Sequence, residues 1–177
     1  LTGCVGARPP LVRLDEERAM MSAVTDVIDS GLARSCHDIS DGGVAVALAE
    51  MLLTAAPDVG IGAEVDVAAM FGAGESGPHD ADGRAVPRDE AGAVGPDYLS
   101  ACSTLFCENG GYVLEVAPRQ LEAALGSLAE RGAWHAVIGR TTDAPGLRVS
   151  LNGAEAVAVS YEELRSAWSR GATEVML

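Results

Sequence analysis

Along this chain apolar residues recur with two periods, one near 3.6 that marks a helix face and one of 2 that marks a strand face. Ala19, Met20, Ala23, Val24, Val27 and Ile28 follow spacings of three and four, which predicts a helix over residues 15–30. Asp15 is read as its N-cap, Glu16 and Glu17 occupy the first turn where the helix dipole favours acids, and Gly31 is the stop. Residues 1–14 read as a linker and edge segment, because Pro9-Pro10 bars a helix and Leu11-Val12-Arg13-Leu14 is short and extended. Residues 32–39 predict a short strand running into the turn Ser40-Asp41-Gly42-Gly43. The helix expected over 43–55 is apolar nearly all round (Val44, Val46, Ala47, Leu48, Met51, Leu52, Leu53), the pattern of a buried element.

Residues 61–67 alternate as a strand, and then the pattern collapses. Residues 72–95 are rich in Gly, Pro, Asp and Glu without an apolar period, which predicts an acidic surface insertion. His79 inside it has no second ligand candidate and reads as a solvated loop histidine. A short helix over 97–105, a strand over 112–116 and a helix over 119–131 follow. Pro118 opens that last helix, whose Leu121, Ala124, Leu125 and Leu128 form the buried stripe. Strands are expected over 136–140, 147–151 and 156–159, the last two joined by the turn Asn152-Gly153. Ser160 and Glu163 form an S-x-x-E capping box for a final helix over 161–170. Helices and strands interleave without strict alternation, which predicts one α/β (α+β) domain over 1–177, a layered sandwich with a mixed sheet.

Charge narrows the partners. The 177 residues hold 26 Asp and Glu against 12 basic residues, every one of them Arg, for a formal net charge of −14. Such a surface repels phosphate backbones and anionic headgroups, so neither nucleic acid nor a membrane is expected as a partner. No apolar run approaches spanning length and no leader pattern opens the chain, which predicts a cytoplasmic protein. Cys4, Cys36, Cys102 and Cys107 lack metal-ligand spacing and are read as reduced, buried thiols. The chain starts with Leu, not Met, and reads as a piece of something longer.

Most one-chain catalytic schemes are absent. Without Lys there is no P-loop lysine, Gly60-Ile61-Gly62 and Gly72-Ala73-Gly74 lack the third glycine of a dinucleotide fingerprint, and neither G-x-S-x-G nor H-E-x-x-H occurs. What stands out is Cys36-His37-Asp38-Ile39-Ser40-Asp41-Gly42-Gly43. A strand delivers His37 and Asp38 to its C-terminal end, and the glycine pair lets the backbone approach a ligand at a helix N-terminus suited to phosphate. Asp38 and Asp41 would repel that phosphate unless Mg²⁺ sits between them, since hard carboxylate oxygens hold Mg²⁺ and Mg²⁺ bridges to nucleotide phosphates. The alternative is structural: Asp41 as N-cap of the following helix, Ser40 in a turn, and His37 a hydrogen-bonded core histidine. A second cluster, Leu105-Phe106-Cys107-Glu108-Asn109-Gly110-Gly111-Tyr112, is a turn feeding a strand in which Glu108 could orient a ligand. Trp134, His135 and Trp168 lie in apolar stretches without basic neighbours and read as core or interface residues, not stacking platforms.

The stretch SCHDISDGGVAVALAE at residues 35–50 resembles the strand–turn–helix signature of the C-terminal, aminoimidazole ribonucleotide synthetase-type domain of phosphoribosylformylglycinamidine synthases. Pro9-Pro10-Leu11-Val12, Leu105-Phe106-Cys107-Glu108, Leu114-Glu115-Val116 and the tail Glu163-Leu164-Arg165-Ser166-Ala167-Trp168 resemble that domain in order and spacing, leaving only 72–95 as an insertion. Looser versions of H-D-x-S-D-G-G occur in selenophosphate synthetase, hydrogenase-maturation and thiamine-monophosphate kinase families. The resemblance implies a ligase of purine biosynthesis that uses ATP and glutamine-derived ammonia to turn a formamide into an amidine. By position it implies Asp38 as a Mg²⁺ ligand, Ser40 in contact with ATP or ADP, and His37, Asp41, Gly42 and Gly43 shaping the turn. It implies no catalytic residue in this domain, which alone would be inactive. The implied partners are amino-terminal synthetase domains, a glutaminase subunit or domain, and a small accessory subunit; the end at Leu177 favours the form with a separate glutaminase. Cys107-Glu108-Asn109 departs from the family pattern, which weakens Glu108 as a ligand contact. The alternatives are a silent packing module or a domain of another ATP-using member of the same superfamily.

Overall fold

A computed structural model of the protein describes residues 13–55, 60–71, 104–108 and 110–174. The expected linker over 1–12, the insertion over 72–95 with His79, most of the helix over 97–105, and Cys4 and Cys102 lie outside them. Helix α1 (Leu14–Asp29) starts one residue before the expected cap. The Arg13 carbonyl accepts the Glu17 N–H at 2.9 Å, so Asp15 is already inside the helix and serves the dipole with Glu16 and Glu17 instead of capping it. Leu14 is therefore helical, not extended. The remaining elements are β1 (Ala33–Asp38), α2 (Gly43–Thr54), β2 (Gly62–Asp66), a 3₁₀ turn (Val67–Phe71), β3 (Tyr112–Val116), a second 3₁₀ turn (Pro118–Gln120) that takes the start of the helix expected over 119–131, α3 (Leu121–Glu130), β4 (Gly139–Thr142), β5 (Gly146–Leu151), β6 (Ala154–Ser160) and α4 (Tyr161–Glu174).

The strands form two sheets. β1 pairs antiparallel with β3, while β4-β2-β5-β6 is a mixed sheet in which β2 and β5 run parallel. Each sheet has its own apolar cluster. Ala23, Val24 and Val27 of α1 meet Ala124 and Leu128 of α3 over the β1-β3 pair, and Val44, Leu48 and Leu52 of α2 pack on Ala63, Val65, Leu147, Val149 and Leu151 of the larger sheet. Helix α2 also touches β1 and β3 and faces α4. That central position explains why its sequence is apolar nearly all round.

Several expectations shift by a few residues or fail. β4 begins at Gly139, three residues after the expected start at Ala136, where the chain comes close enough to β2 that a Cβ on Gly139 would lie 2.1 Å from the Glu64 carbonyl oxygen. α4 runs to Glu174 behind the expected capping box, in which the Glu163 carboxylate accepts the Ser160 N–H at 2.9 Å and hydroxyl at 2.7 Å. Trp134 and Trp168 are 39% and 56% exposed, so neither is a core residue; His135 is half-buried, its Nδ1 2.9 Å from the Ala133 carbonyl. Cys36 and Cys107 are exposed, not buried. Burial of part of the Cys36 side chain, and then the neighbouring Asp38 charge, still push that thiol up, which favours its protonated form.

One carboxylate ties the larger sheet together. Asp66, at the end of β2, accepts backbone N–H bonds from Ala68 at 2.9 Å, Asn152 at 3.1 Å and Gly153 at 2.8 Å, clamping the β5–β6 turn in which Asn152 adopts φ 52°. Partial burial alone would raise the Asp66 pKa, but these donors outweigh it and hold the carboxyl below its usual value. A folded-state pKa below the unfolded one contributes stability above the unfolded value and loses it as pH falls through the folded one. Asp66→Asn is therefore expected to cost roughly 1–2 kcal/mol at pH 7, allowing for solvent screening of a half-buried group. The gap between wild type and variant in urea midpoints should shrink from about pH 4 downward; a gap that stays constant to pH 2 would show that the charge is not what the turn uses.

Candidate functional site

The alternation of β1 points Ala33, Ser35 and His37 inward and Arg34, Cys36 and Asp38 outward. Asp38 is the last ladder residue, opposite Tyr112, and the chain leaves the sheet at Ile39, whose N–H donates to the Gly111 carbonyl at 2.8 Å. A tight turn follows, closed by the Gly43 N–H donating to the Ser40 carbonyl at 2.9 Å. Both glycines are left-handed, at φ 81° and 66°. A Cβ on Gly43 would stand 2.6 Å from the Leu105 carbonyl oxygen and 2.9 Å from that of Cys107, so the 105–107 backbone lies directly on the turn.

That approach brings in Glu108. Its Oε1 accepts the Gly42 N–H at 2.9 Å, which places a carboxylate at the mouth of α2 from a segment distant in sequence. The N-cap of α2 is Gly42 and makes no side-chain cap bond, so the alternative in which Asp41 caps this helix is overturned: the Asp41 position is taken up by the turn, and Glu108 serves the helix mouth. Ser40, Asp41 and Asp38 are exposed, the Asp38 side chain at 64%. His37 is not a fully buried core histidine either. Its ring spans two elements, with Nε2 3.0 Å from Glu50 Oε2 of α2 and Nδ1 2.7 Å from the Asp38 carbonyl oxygen.

The structure thus gathers His37, Asp38, Ser40, Asp41, Gly42 and Gly43 on one strand–turn–helix and adds Glu108 and Glu50 to it. Glu50 was legible as the one charged side chain in GVAVALAEMLLT, an acid on an otherwise apolar buried helix. Trp134 and His135 follow directly on Ala133 of the α1–α3 cluster, and the His135 ring turns back to the Ala133 carbonyl. Chemically, four carboxylates and one imidazole around a glycine turn disfavour a bare phosphate and suit a hard cation held through oxygen. The donors Asp38 and Asp41 fit Mg²⁺ in type, but among the described residues no group of three or more His, Cys, Asp or Glu side chains forms a ready-made metal cage. The domain presents part of a ligand set, not a whole one.

Residues 4–152 match the family described as AIR synthase related protein, C-terminal domain. The chain belongs to this family. Among similar proteins, the phosphoribosylformylglycinamidine synthase subunit PurL of Moorella thermoacetica is 33% identical over 94% of this chain and 18% of its own length. The corresponding subunit of Methanothrix thermoacetophila is 30% identical over 98% of this chain and 19% of its own. In fold, this AIR synthase related domain superposes on Thermotoga maritima PurL complexed with ADP at a TM-score of 0.61, with 16% identity, over 87% of this chain and 22% of that one. The PurLQS structure from the same organism gives 0.62 at 16% identity, over 87% of this chain and 22% of that chain. The chain therefore spans about a fifth of the length of these relatives. Among the described residues no helix is long and apolar enough to cross a membrane.

Proposed function

We propose that this chain acts as the C-terminal domain of a phosphoribosylformylglycinamidine synthase, an ATP- and glutamine-dependent C–N ligase of cytoplasmic purine biosynthesis. The observation that carries the reading is the 33% identity to such a synthase subunit across 94% of the chain. Thermotoga PurL complexed with ATP, ADP and AMPPCP supports a nucleotide ligand for the family fold. Within that enzyme the domain contributes one wall of a Mg²⁺–nucleotide site and no catalytic residue. Mg²⁺, when bound, neutralises phosphate charge that the local carboxylates would otherwise repel. Asp38, exposed at the end of β1, holds the ion, Ser40 meets the nucleotide, and His37, Asp41, Gly42 and Gly43 set the turn. Amino-terminal synthetase domains complete the site, and a glutaminase with a small accessory subunit supplies ammonia.

In the full-length synthase, Asp38→Ala is expected to weaken Mg²⁺-dependent ADP retention on the order of tenfold or more, by loss of a direct ligand. Equilibrium dialysis across a Mg²⁺ series reads this. Unchanged retention would favour the second reading, a packing module. That reading draws on the Glu108–Gly42 bond, which satisfies the turn from within the chain, and on the exposed Trp134 and Trp168 as interface residues.

A further inference from the structure

We propose that Glu50 is a positioning residue for the Mg²⁺–nucleotide site, acting through His37 on Asp38; this rests on the reading of Asp38 as the metal ligand. His37 is held at two points. Glu50 Oε2, two turns into α2, lies 3.0 Å from Nε2, and the Asp38 carbonyl oxygen lies 2.7 Å from Nδ1. Both ring nitrogens thus face protein oxygens at hydrogen-bond distance, one on α2 and one on the Asp38 peptide. The ring's influence on a ligand runs through the Asp38 peptide, whose carbonyl it holds, and through the Asp38 carboxylate, whose Oδ1 stands 3.7 Å from Nδ1.

The need for such a brace follows from the topology. Asp38 ends the β1 ladder, so beyond it the chain is held by single contacts: the Ile39–Gly111 bond, the packing of Ile39 on the main core, the Ser40–Gly43 turn bond and the Glu108–Gly42 bond. The Asp38 side chain is 64% exposed, with His37 Nδ1 3.7 Å from Oδ1. The His37 and Glu50 side chains, by contrast, are only 25% and 26% exposed, and α2 is anchored in the main core by Val44, Leu48 and Leu52. Glu50 thus transfers the rigidity of the buried helix to the end of the strand. Groups outside the ligand shell tune an ion site by fixing the direction of the ligands, and the Glu50–His37 pair is placed to do so for Asp38. The pair is also an economical use of a charge: it explains an acid on a helix whose other side chains are apolar.

The test uses the full-length synthase with Asp38→Ala as the reference, which defines the Asp38-dependent component of ADP retention in a Mg²⁺ titration. Glu50→Ala is expected to raise the half-saturating Mg²⁺ for that component on the order of tenfold, as for other outer-shell removals. Glu50→Gln, which keeps an acceptor oxygen at the same reach, should recover most of the loss. The nucleotide-free unfolding midpoint should stay close to wild type in both. If Asp38→Ala weakens retention and Glu50→Ala does not, the positioning role is overturned while the site stands. If Glu50→Ala lowers the nucleotide-free midpoint and Glu50→Gln fails to restore Mg²⁺ dependence, Glu50 is a fold brace and the proposal falls. If Asp38→Ala itself has no effect, the site reading and the positioning role fall together.

Discussion

Gly43→Ala is expected to destabilise the domain by about 2.5–5 kcal/mol, from left-handed strain of roughly 1–2 kcal/mol plus loss of a charge-assisted bond worth about 1.5–3 kcal/mol. The strain arises because residue 43 sits at φ 66°. The steric conflict compounds it: the new Cβ would lie 2.6 Å from the Leu105 carbonyl oxygen and 2.9 Å from both the Phe106 carbonyl carbon and the Cys107 oxygen. All three obstacles are backbone, so no rotamer change relieves them. The 105–107 segment must move, and Glu108 moves with it, away from the Gly42 N–H it now holds at 2.9 Å. The measurement is the urea midpoint, with Gly126→Ala as control. Gly126 lies inside α3, and a methyl group there would meet nothing within 4 Å, so alanine should add roughly 0.5–1 kcal/mol of stability. A Gly43→Ala loss under about 1 kcal/mol would mean that the 105–108 segment does not press on the turn, and the close approach that brings Glu108 to the helix mouth would lose its structural role.

The glycine pair itself is legible from sequence, and its partner is not. Asp-Gly-Gly after a strand announces a turn with left-handed residues, because that information is local. Which acid serves the helix mouth is a long-range fact. Asp41 stands beside the helix and Glu108 far from it in sequence, yet the bond to Gly42 comes from Glu108. The same distinction sorts the rest. The Ser160–Glu163 capping box appears as expected, since spacing alone specifies it, while of the expected α3 stripe Ala124 and Leu128 are buried and Leu121 and Leu125 half-buried. The Asp15 cap fails because Arg13 offers its carbonyl two residues earlier, a choice that propensity does not rank. A mixed sheet follows from the interleaved elements, but its separation from the β1-β3 pair does not, because period-2 alternation tells which side of a strand is buried and not which strand lies next to it. The exposure of Cys36 escapes the sequence for a related reason: apolar neighbours in sequence alternate faces on a strand, and Cys36 falls on the outward one.

The second large effect belongs to the helix between the sheets. Leu48→Ala is expected to cost about 2–5 kcal/mol, the range for removing a buried leucine side chain with partial collapse of the cavity. Leu48 is 6% exposed and packs in one cluster with Val44, Leu52, Val65, Val149 and Leu105. Against a total stability of about 5–15 kcal/mol for a domain of this kind, that is a large fraction, and the unfolding midpoint in urea should fall accordingly. The pattern of the loss matters more than its size. Because α2 touches β1 and β3 as well as β5, weakening it should loosen the two-stranded and four-stranded sheets together, in one transition seen alike by far-ultraviolet circular dichroism and by tryptophan fluorescence. Two separated transitions would show that the sheets are held independently and that α2 is not their common support. The same helix carries Glu50 two residues beyond Leu48, so a loosened α2 should also blunt Mg²⁺-dependent retention of nucleotide, whereas an equally costly change in the α1–α3 layer, such as Leu128→Ala, should not. That contrast separates a general loss of stability from loss of the particular element that connects the core to the end of β1.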